Sequence, residues 1–156
     1  MVKIEYLCDH PDYIDKSAYW LYNEFLKNIM SDLTYDNFRA FFKKCGKEEL
    51  PIRLAAVLNG ECVGTVSIVD NDLSIRNYTP WLGGLYVDVS YRNNGIGQEL
   101  INNVKIIVKK MGYNEVYLVT TDAGQYYRKL GWQIVEKCED EHGQMVEVFK
   151  YTLTYS

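Results

Sequence analysis

The stretch Arg92-Asn93-Asn94-Gly95-Ile96-Gly97 carries residue types whose spacing suits the chemistry of an anion. It lies between an apolar, strand-like run ending near Val89 and an amphipathic pattern starting near Gly97. A turn in that position aims several backbone N–H groups at one spot at a helix N-terminus, where unpaired donors and the positive end of the dipole favour a phosphate. Glycine lets the phosphate approach the backbone, asparagine tolerates left-handed angles, and Arg92 adds a fixed positive charge. A plain tight turn explains a Gly-x-Gly equally well when it is taken alone. A Walker P-loop needs Gly-Lys followed by Ser or Thr, whereas Gln98 and Glu99 follow Gly97. A Rossmann fingerprint needs a third small residue where this chain has Leu100, although Asp122, past the next strand, keeps a dinucleotide reading open.

Metal and thiol chemistry fit poorly. Cys8, Cys45, Cys62 and Cys138 have no Cys-x-x-Cys spacing, and His10 and His142 are not spaced to join them, so no metal site is expected and the thiols read as reduced and structural. A Cys-His nucleophile is disfavoured on the same ground.

The elements that must position the cradle follow from periodicity. Val2 to Cys8 reads as a short strand, and Asp9-His10-Pro11-Asp12 supplies capping chemistry for a helix bearing Ile14, Tyr19, Trp20, Leu21, Phe25, Leu26 and Ile29. A second helix starts near Thr34, carries Tyr35, Phe38, Phe41 and Phe42, and stops by Gly46. Ile52 to Leu58 and Val63 to Val69 form a hairpin around Asn59-Gly60, the strongest short turn signal in the chain. Trp81 to Val89 is expected as one strand, with Leu85, Val87 and Val89 alternating against Tyr86 and Asp88, and with Gly83-Gly84 marking a bulge or a close backbone approach. From Ile96, the residues Leu100, Ile101, Val104, Ile107, Val108 and Met111 give a long amphipathic helix closed by Lys109, Lys110 and Gly112. Val116 to Val119 is a buried strand, Ala123 to Leu130 a short helix, and Trp132 to Cys138 pairs with Met145 to Leu153. This order predicts an α+β fold with a mixed, mostly antiparallel sheet, helices on both faces and a central β-α-β-α segment.

The length of 156 residues predicts one domain spanning 1–156, and 47% hydrophobic content with 3 prolines supplies a core. With 17 basic and 21 acidic residues, the net charge of −4 disfavours binding to nucleic acid or an anionic membrane by bulk charge. Apolar runs are too short for a membrane helix and the N-terminal residues lack a signal-peptide core, so a cytoplasmic location is expected.

Two motifs together resemble those of the GCN5-related N-acetyltransferases, the GNAT family. Arg92 to Gly97, after Leu85-Tyr86-Val87-Asp88-Val89 and before a long helix, is similar to the family's Arg/Gln-x-x-Gly-x-Gly/Ala. Tyr127-Arg128-Lys129-Leu130-Gly131-Trp132 is similar to its Tyr-x-x-x-Gly-Phe, about 30 residues downstream. The likeness runs from about Gly64 to Trp132 and points to a bacterial small-molecule branch.

The resemblance implies an acetyl-CoA-dependent acyltransferase, with the co-substrate wedged between two splayed parallel strands. Arg92, Asn93, Asn94, Gly95, Ile96 and Gly97 would hold the pyrophosphate. Backbone groups of Leu85, Tyr86 and Val87 would pair with the pantetheine arm, and an N–H near Gly84 would polarise the thioester carbonyl. Thr121, with Thr120 and Asp122, stands where many members place a pantetheine-binding asparagine. Tyr127 would stand near the sulfur and protonate the departing thiolate.

The strand Trp81 to Val87 lacks the Glu or Asp that activates the amine in many members. An amine with pKa about 10.4 is neutral in well under about one molecule in a hundred at pH 7, and removing its proton costs about 4.6 kcal/mol. Asp70 and Asp72 in the preceding loop are the candidates to accept it; solvated turn residues are the other reading of both. Trp20, Tyr22, Glu24, Asp36, Trp81 and Tyr126 are candidates to line the acceptor's place. The expected partner is a small cationic amine rather than a nucleic acid or membrane, and a homodimer is compatible with the resemblance. A non-catalytic acyl-CoA-binding or regulatory domain is the alternative.

Overall fold

A side-chain cap opens the second helix: Thr34 Oγ1 accepts from the Asn37 N–H at 3.1 Å, satisfying a donor the helix cannot pair internally. The computed structural model describes residues 1–153. Its elements are β1 (Lys3–Tyr6), α1 (Pro11–Leu21), α2 (Tyr35–Phe42), β2 (Ile52–Leu58), β3 (Glu61–Val69), β4 (Trp81–Val87), α3 (Ile96–Lys110), β5 (Glu115–Thr120), α4 (Gly124–Lys129), β6 (Gln133–Glu139) and β7 (Met145–Thr152). The seven strands are mostly antiparallel, so the α+β expectation holds. The chain groups into two compact units, Met1–Ser67 with Gly84–Val104, and Ile68–Gly83 with Lys105 onward.

In the first unit, the strand order is β1-β2-β3-β4, and β1 pairs antiparallel with β2 from Lys3↔Val57 to Tyr6↔Leu54. Asn59 and Gly60 both take left-handed angles, with φ of 52° and 79°, as a tight β2–β3 hairpin requires. Ile14, Ala18 and Leu21 recur at four and three along α1 and bury with Leu7, Phe42, Ala55, Val57 and Cys62. Phe38 and Phe42, one turn apart on α2, meet at a ring separation of 5.7 Å. Gly64 makes room for α3, since a Cβ there would lie 3.3 Å from Leu100 Cδ1 and 3.0 Å from the Tyr86 carbonyl.

Three local expectations need correction. Of the capping segment Asp9-His10-Pro11-Asp12, Pro11 stands at the first helical positions of α1 and Asp12 in its first turn, but His10 at the N-cap makes no side-chain bond. The first helix does not run to Ile29: α1 ends at Leu21 and a π-helical turn covers Tyr22–Leu26, with the Lys27 N–H donating to the Tyr22 carbonyl and Phe25 and Ile29 exposed. The Trp81 strand ends at Val87 rather than Val89, because Asp88 Oδ1 accepts from the Ser90 N–H at 3.1 Å and draws Val89–Tyr91 into a 3₁₀ turn.

In the second unit, the order is β4-β5-β7-β6. β4 and β5 run parallel, in register at Trp81↔Tyr117, while β7 pairs antiparallel with β5 and with β6. Leu73, Trp81 and Val148 form the buried centre, against which Tyr78 stacks on Tyr117 at 4.8 Å. The loop before β4 is tied to β6 by Glu136, which accepts from Arg76 at 2.9 and 2.6 Å and from the Tyr78 hydroxyl at 2.6 Å. These bonds hold the Glu136 carboxyl down at about 2.

The long helix α3 buries Ile96, Leu100, Ile101, Val104 and Val108 along one stripe. It closes with Lys109 and Lys110 in its last turn and Gly112 at φ 94°. Among the described residues, no helix is long and apolar enough to cross a membrane.

Candidate functional site

The turn after β4 is built by its own side chains. Arg92 Nε donates to the Val87 carbonyl at 2.8 Å, and Asn94 Nδ2 donates to the carbonyls of Tyr91 and Arg92 at 3.1 and 3.2 Å. Asn93 has φ 66° and Gly95 φ 78°, so both left-handed positions fall on residues that accept them. A Cβ on Gly95 would meet no protein atom within 4 Å, which leaves open space in front of the backbone there. Ile96 is buried and anchors the first turn of α3, whereas Arg92, Asn93, Asn94 and Gly95 are exposed and Gly97 is half-buried. The first N–H groups of a helix have no partner inside it, so this turn presents donors, a dipole end and a guanidinium together. That set fits a phosphate ester.

Leu85, Tyr86 and Val87, the next part of the same unit, are each half-buried. The Tyr86 ring lies 5.2 Å from that of Trp20 and 5.1 Å from the Arg92 guanidinium, so its orientation is set by stacking on both sides. Gly84 takes φ 58°, and a Cβ there would come within 3.1 Å of Leu21 Cδ1. Of the two alternatives read at the paired glycines, the close approach is seen at Gly84, against Leu21.

In the second unit, Tyr127 is buried to 8% exposure on α4, edge-on to Trp132 at 5.9 Å and tilted over Phe149 at 6.4 Å. Gly131, at φ 91°, ends that helix, and the Trp132 N–H returns to the Tyr127 carbonyl at 3.0 Å. The Tyr-x-x-x-Gly-Trp spacing thus has a structural reason: the glycine turn folds Trp132 back onto the tyrosine. Burial first, then the neighbouring Tyr126 hydroxyl, pushes the Tyr127 phenol up to about 12, so it keeps its proton at neutral pH.

The two loop aspartates differ. Asp70 is exposed and its Oδ1 accepts from Thr79 Oγ1 at 3.1 Å. Asp72 has solvent-reachable surface as a residue, yet protein atoms crowd its carboxyl; Oδ2 lies 3.2 Å from where a Cβ on Gly83 would stand. The crowding governs its charge and the open surface governs its access: loss of water around the carboxyl, then the charge of Glu141, pushes it up to about 7. Glu141, in the β6–β7 turn, is fixed by the Ser74 hydroxyl at 3.0 Å and N–H at 3.3 Å. Sequence reading missed Glu141, because 69 residues separate it from Asp72 and no local spacing signals the pairing.

Thr121 is exposed and lines a recess of about 170 Å³ with Lys137, Met145, Val146 and Glu147. Thr120 has a structural task, its Oγ1 accepting from the Ala123 N–H at 3.0 Å ahead of α4. Among the candidate acceptor residues, Trp81 is fully buried, with its indole N–H on the Tyr78 carbonyl, and belongs to the core. Tyr22 donates its hydroxyl to the Leu33 carbonyl at 2.9 Å, and Glu24, Asp36 and Tyr126 are exposed. Among the described residues, no group of three or more His, Cys, Asp and Glu side chains is placed to hold a metal ion.

The fold is shared with solved acetyltransferases. An aminoglycoside 6'-acetyltransferase type Ii is 22% identical with a TM-score of 0.76, over 99% of both chains. An aminoglycoside 6'-N-acetyltransferase complexed with coenzyme A is 18% identical with a TM-score of 0.77, over 100% of this chain and 98% of the other. A putative acetyltransferase from Salmonella typhimurium with acetyl-CoA is 13% identical with a TM-score of 0.71, over 100% and 96%. An uncharacterised N-acetyltransferase of Chlorobaculum tepidum is 32% identical over 78 residues, a match covering 50% of this chain and 47% of that relative, so the chain spans about half the length of the curated protein it matches. The acetyltransferase (GNAT) family profile matches residues 16–132, taking in the cradle turn, α3 and the Tyr127–Trp132 motif. With three quarters of its length in that match, the chain belongs to the acetyltransferase (GNAT) family.

Proposed function

We propose that this protein moves an acetyl group from acetyl-CoA to a primary amine of a small cationic molecule, by direct attack with both substrates bound. The observation that carries the reading is the cradle itself: left-handed Asn93 and Gly95 at the N-terminus of α3, with open space before Gly95 and Arg92 anchored beside it. Arg92, Asn93, Asn94, Gly95, Ile96 and Gly97 then bind the pyrophosphate. Leu85, Tyr86 and Val87 supply backbone groups for the pantetheine amides, and the Gly84 region an N–H for the thioester oxygen.

The proton chemistry is assigned to Asp72 and Tyr127. Asp72, with its carboxyl near neutrality, takes the proton from the acceptor ammonium directly or through water. Asp70, exposed and bonded to Thr79, adds negative charge that draws a cation. The freed amine attacks the carbonyl carbon, the carbon–sulfur bond breaks while the Tyr127 hydroxyl hydrogen-bonds to the charge developing on sulfur, and the second proton of the attacking nitrogen passes to the sulfur, releasing the amide and free CoA thiol. Thr121 adds a hydroxyl for the pantetheine arm.

The test is release of free CoA thiol from acetyl-CoA over a panel of polyamines, aminoglycosides, amino-acid amides, and deacylated and aminoacyl tRNA. Turnover is expected with small cationic amines. Turnover confined to the RNAs overturns the acceptor class, and tight acetyl-CoA binding with no turnover on any arm establishes the non-catalytic alternative.

A further inference from the structure

Four side chains of the first unit form a column that ends at the cradle. Lys16 and Trp20 are one turn apart on α1, and Lys16 Nζ lies 5.2 Å from the centre of the Trp20 ring. The Trp20 and Tyr86 ring centres are 5.2 Å apart with their planes at 30°, and the Arg92 guanidinium lies 5.1 Å from the Tyr86 ring. Trp20 and Tyr86 both pack on the cluster that holds Ile14, Ala18 and Leu21, so the column is rooted in the core and its far end reaches the turn before α3.

An exposed arginine loses rotamer freedom when a ligand fixes it, and that loss weakens binding. For Arg92 the freedom is already restricted. Its Nε donates to the Val87 carbonyl at 2.8 Å, which alone would let the group swing about that bond, and the Tyr86 ring restrains it at a second place. Among the described residues both Nη atoms have no protein partner and stay available to an anion. Tyr86 can restrain the guanidinium only if its own ring is held, and Trp20 is the ring against it.

We propose that Trp20 is a positioning residue for the co-substrate: it holds Tyr86, and Tyr86 holds the Arg92 guanidinium in the orientation that takes the pyrophosphate. The proposal rests on the reading of Arg92 as a pyrophosphate ligand. It gives Trp20 a task other than lining the acceptor's place, and one felt in the affinity for acetyl-CoA rather than in the chemical step, because pre-orienting a ligand group serves ground state and transition state alike.

The experiment is calorimetric titration of the whole protein with acetyl-CoA, beside thermal melts that verify folding; it needs no acceptor. Arg92→Met should raise Kd about tenfold or more, Tyr86→Leu about fivefold and Trp20→Leu about threefold. Trp20→Phe, which keeps a ring, should stay within about 1.5-fold of wild type. Tyr19→Ala, which removes the exposed neighbour that meets Tyr35 instead, should match wild type. In the Arg92→Met background Trp20→Leu should add nothing, since the group it positions is gone. A Trp20→Leu protein that folds and binds as wild type does, while Arg92→Met is weakened, overturns the brace and leaves the cradle reading standing. Equal losses in Trp20→Phe and Trp20→Leu, or a full further loss in the Arg92→Met background, also overturn it. Arg92→Met binding as tightly as wild type overturns the reading of Arg92, and the brace with it.

Discussion

Asp72 and Gly83 fit each other through an atom Gly83 lacks: a Cβ there would lie 3.2 Å from Asp72 Oδ2. The glycine thus lets the loop carboxyl settle against β4, where it loses water and holds its proton to about pH 7. If Asp72 takes the acceptor's proton, kcat/KM rises with pH through an apparent pKa within about one unit of 7. Asp72→Asn removes that limb and lowers kcat by about 10²-fold or more. Gly83→Ala displaces the carboxyl by a few tenths of an ångström and lowers kcat several-fold while leaving KM for acetyl-CoA unchanged. A pH profile identical in Asp72→Asn and wild type would remove the residue from the proton path.

The same carboxyl makes a stability prediction of opposite sense to that of most aspartates. Its folded pKa is raised, so the folded state holds the extra proton between the unfolded value near 4 and about 7, and stability falls as pH rises through that window. Asp72→Asn should therefore gain melting temperature relative to wild type at pH 8 and show little gain at pH 4. Paired thermal melts at the two pH values measure this.

Glu136 has the reverse sign. Its carboxyl is depressed to about 2 by Arg76 first and then Tyr78, so its stabilisation is complete above the unfolded value near 4.5 and is lost as pH falls toward 2. Glu136→Gln keeps the shape and weakens the three charge-assisted bonds, costing roughly 1–3 kcal/mol at pH 7 and much less at pH 2. Denaturant melts at both values check it, and a cost independent of pH would assign the effect to packing.

What was legible in the sequence divides along local and distant causes. The Asn59-Gly60 hairpin, the Thr34 start of α2 and the stripe of α3 could be read because turn angles, caps and helical period are written in neighbouring residues. The turn before α3 was legible for the same reason: Asn93 and Gly95 carry their conformations in their residue types. The end of α1 was not, because Leu21 to Ile29 keeps a helical apolar pattern while Tyr22 is pulled toward Leu33. The effect of Glu141 on Asp72 depends on chain segments that meet only after folding. Trp81 shows the limit of residue type alone, since an aromatic suited to a binding surface lies at 0% exposure.

Gly95→Ala separates the cradle from the rest of the fold. At φ 78° an L side chain costs about 1–2 kcal/mol of strain, and its methyl enters the open space in front of the turn. KM for acetyl-CoA should rise about tenfold with kcat nearly unchanged at saturation, because ground state and transition state lose the same binding. Asn93→Gly, which keeps the left-handed angle, should leave KM within about twofold. Equal KM values for Gly95→Ala and wild type would place the pyrophosphate elsewhere.

Tyr127→Phe tests the proton donor with little change in packing, since the ring contacts to Trp132 and Phe149 remain. The phenol, pushed up to about 12, is protonated throughout the working range and can donate only when a stronger base appears beside it. A departing thiolate is intrinsically less basic than this phenolate, so a complete transfer runs uphill and the hydroxyl acts chiefly by hydrogen bonding to the developing charge. The loss in kcat should therefore be moderate, about 10- to 100-fold, with acetyl-CoA affinity retained. An acyl donor whose thiol leaves more readily should narrow the gap between Tyr127→Phe and wild type, because less charge then needs stabilising. A gap that stays constant across donors, or a variant at full rate, would assign Tyr127 to the core of α4.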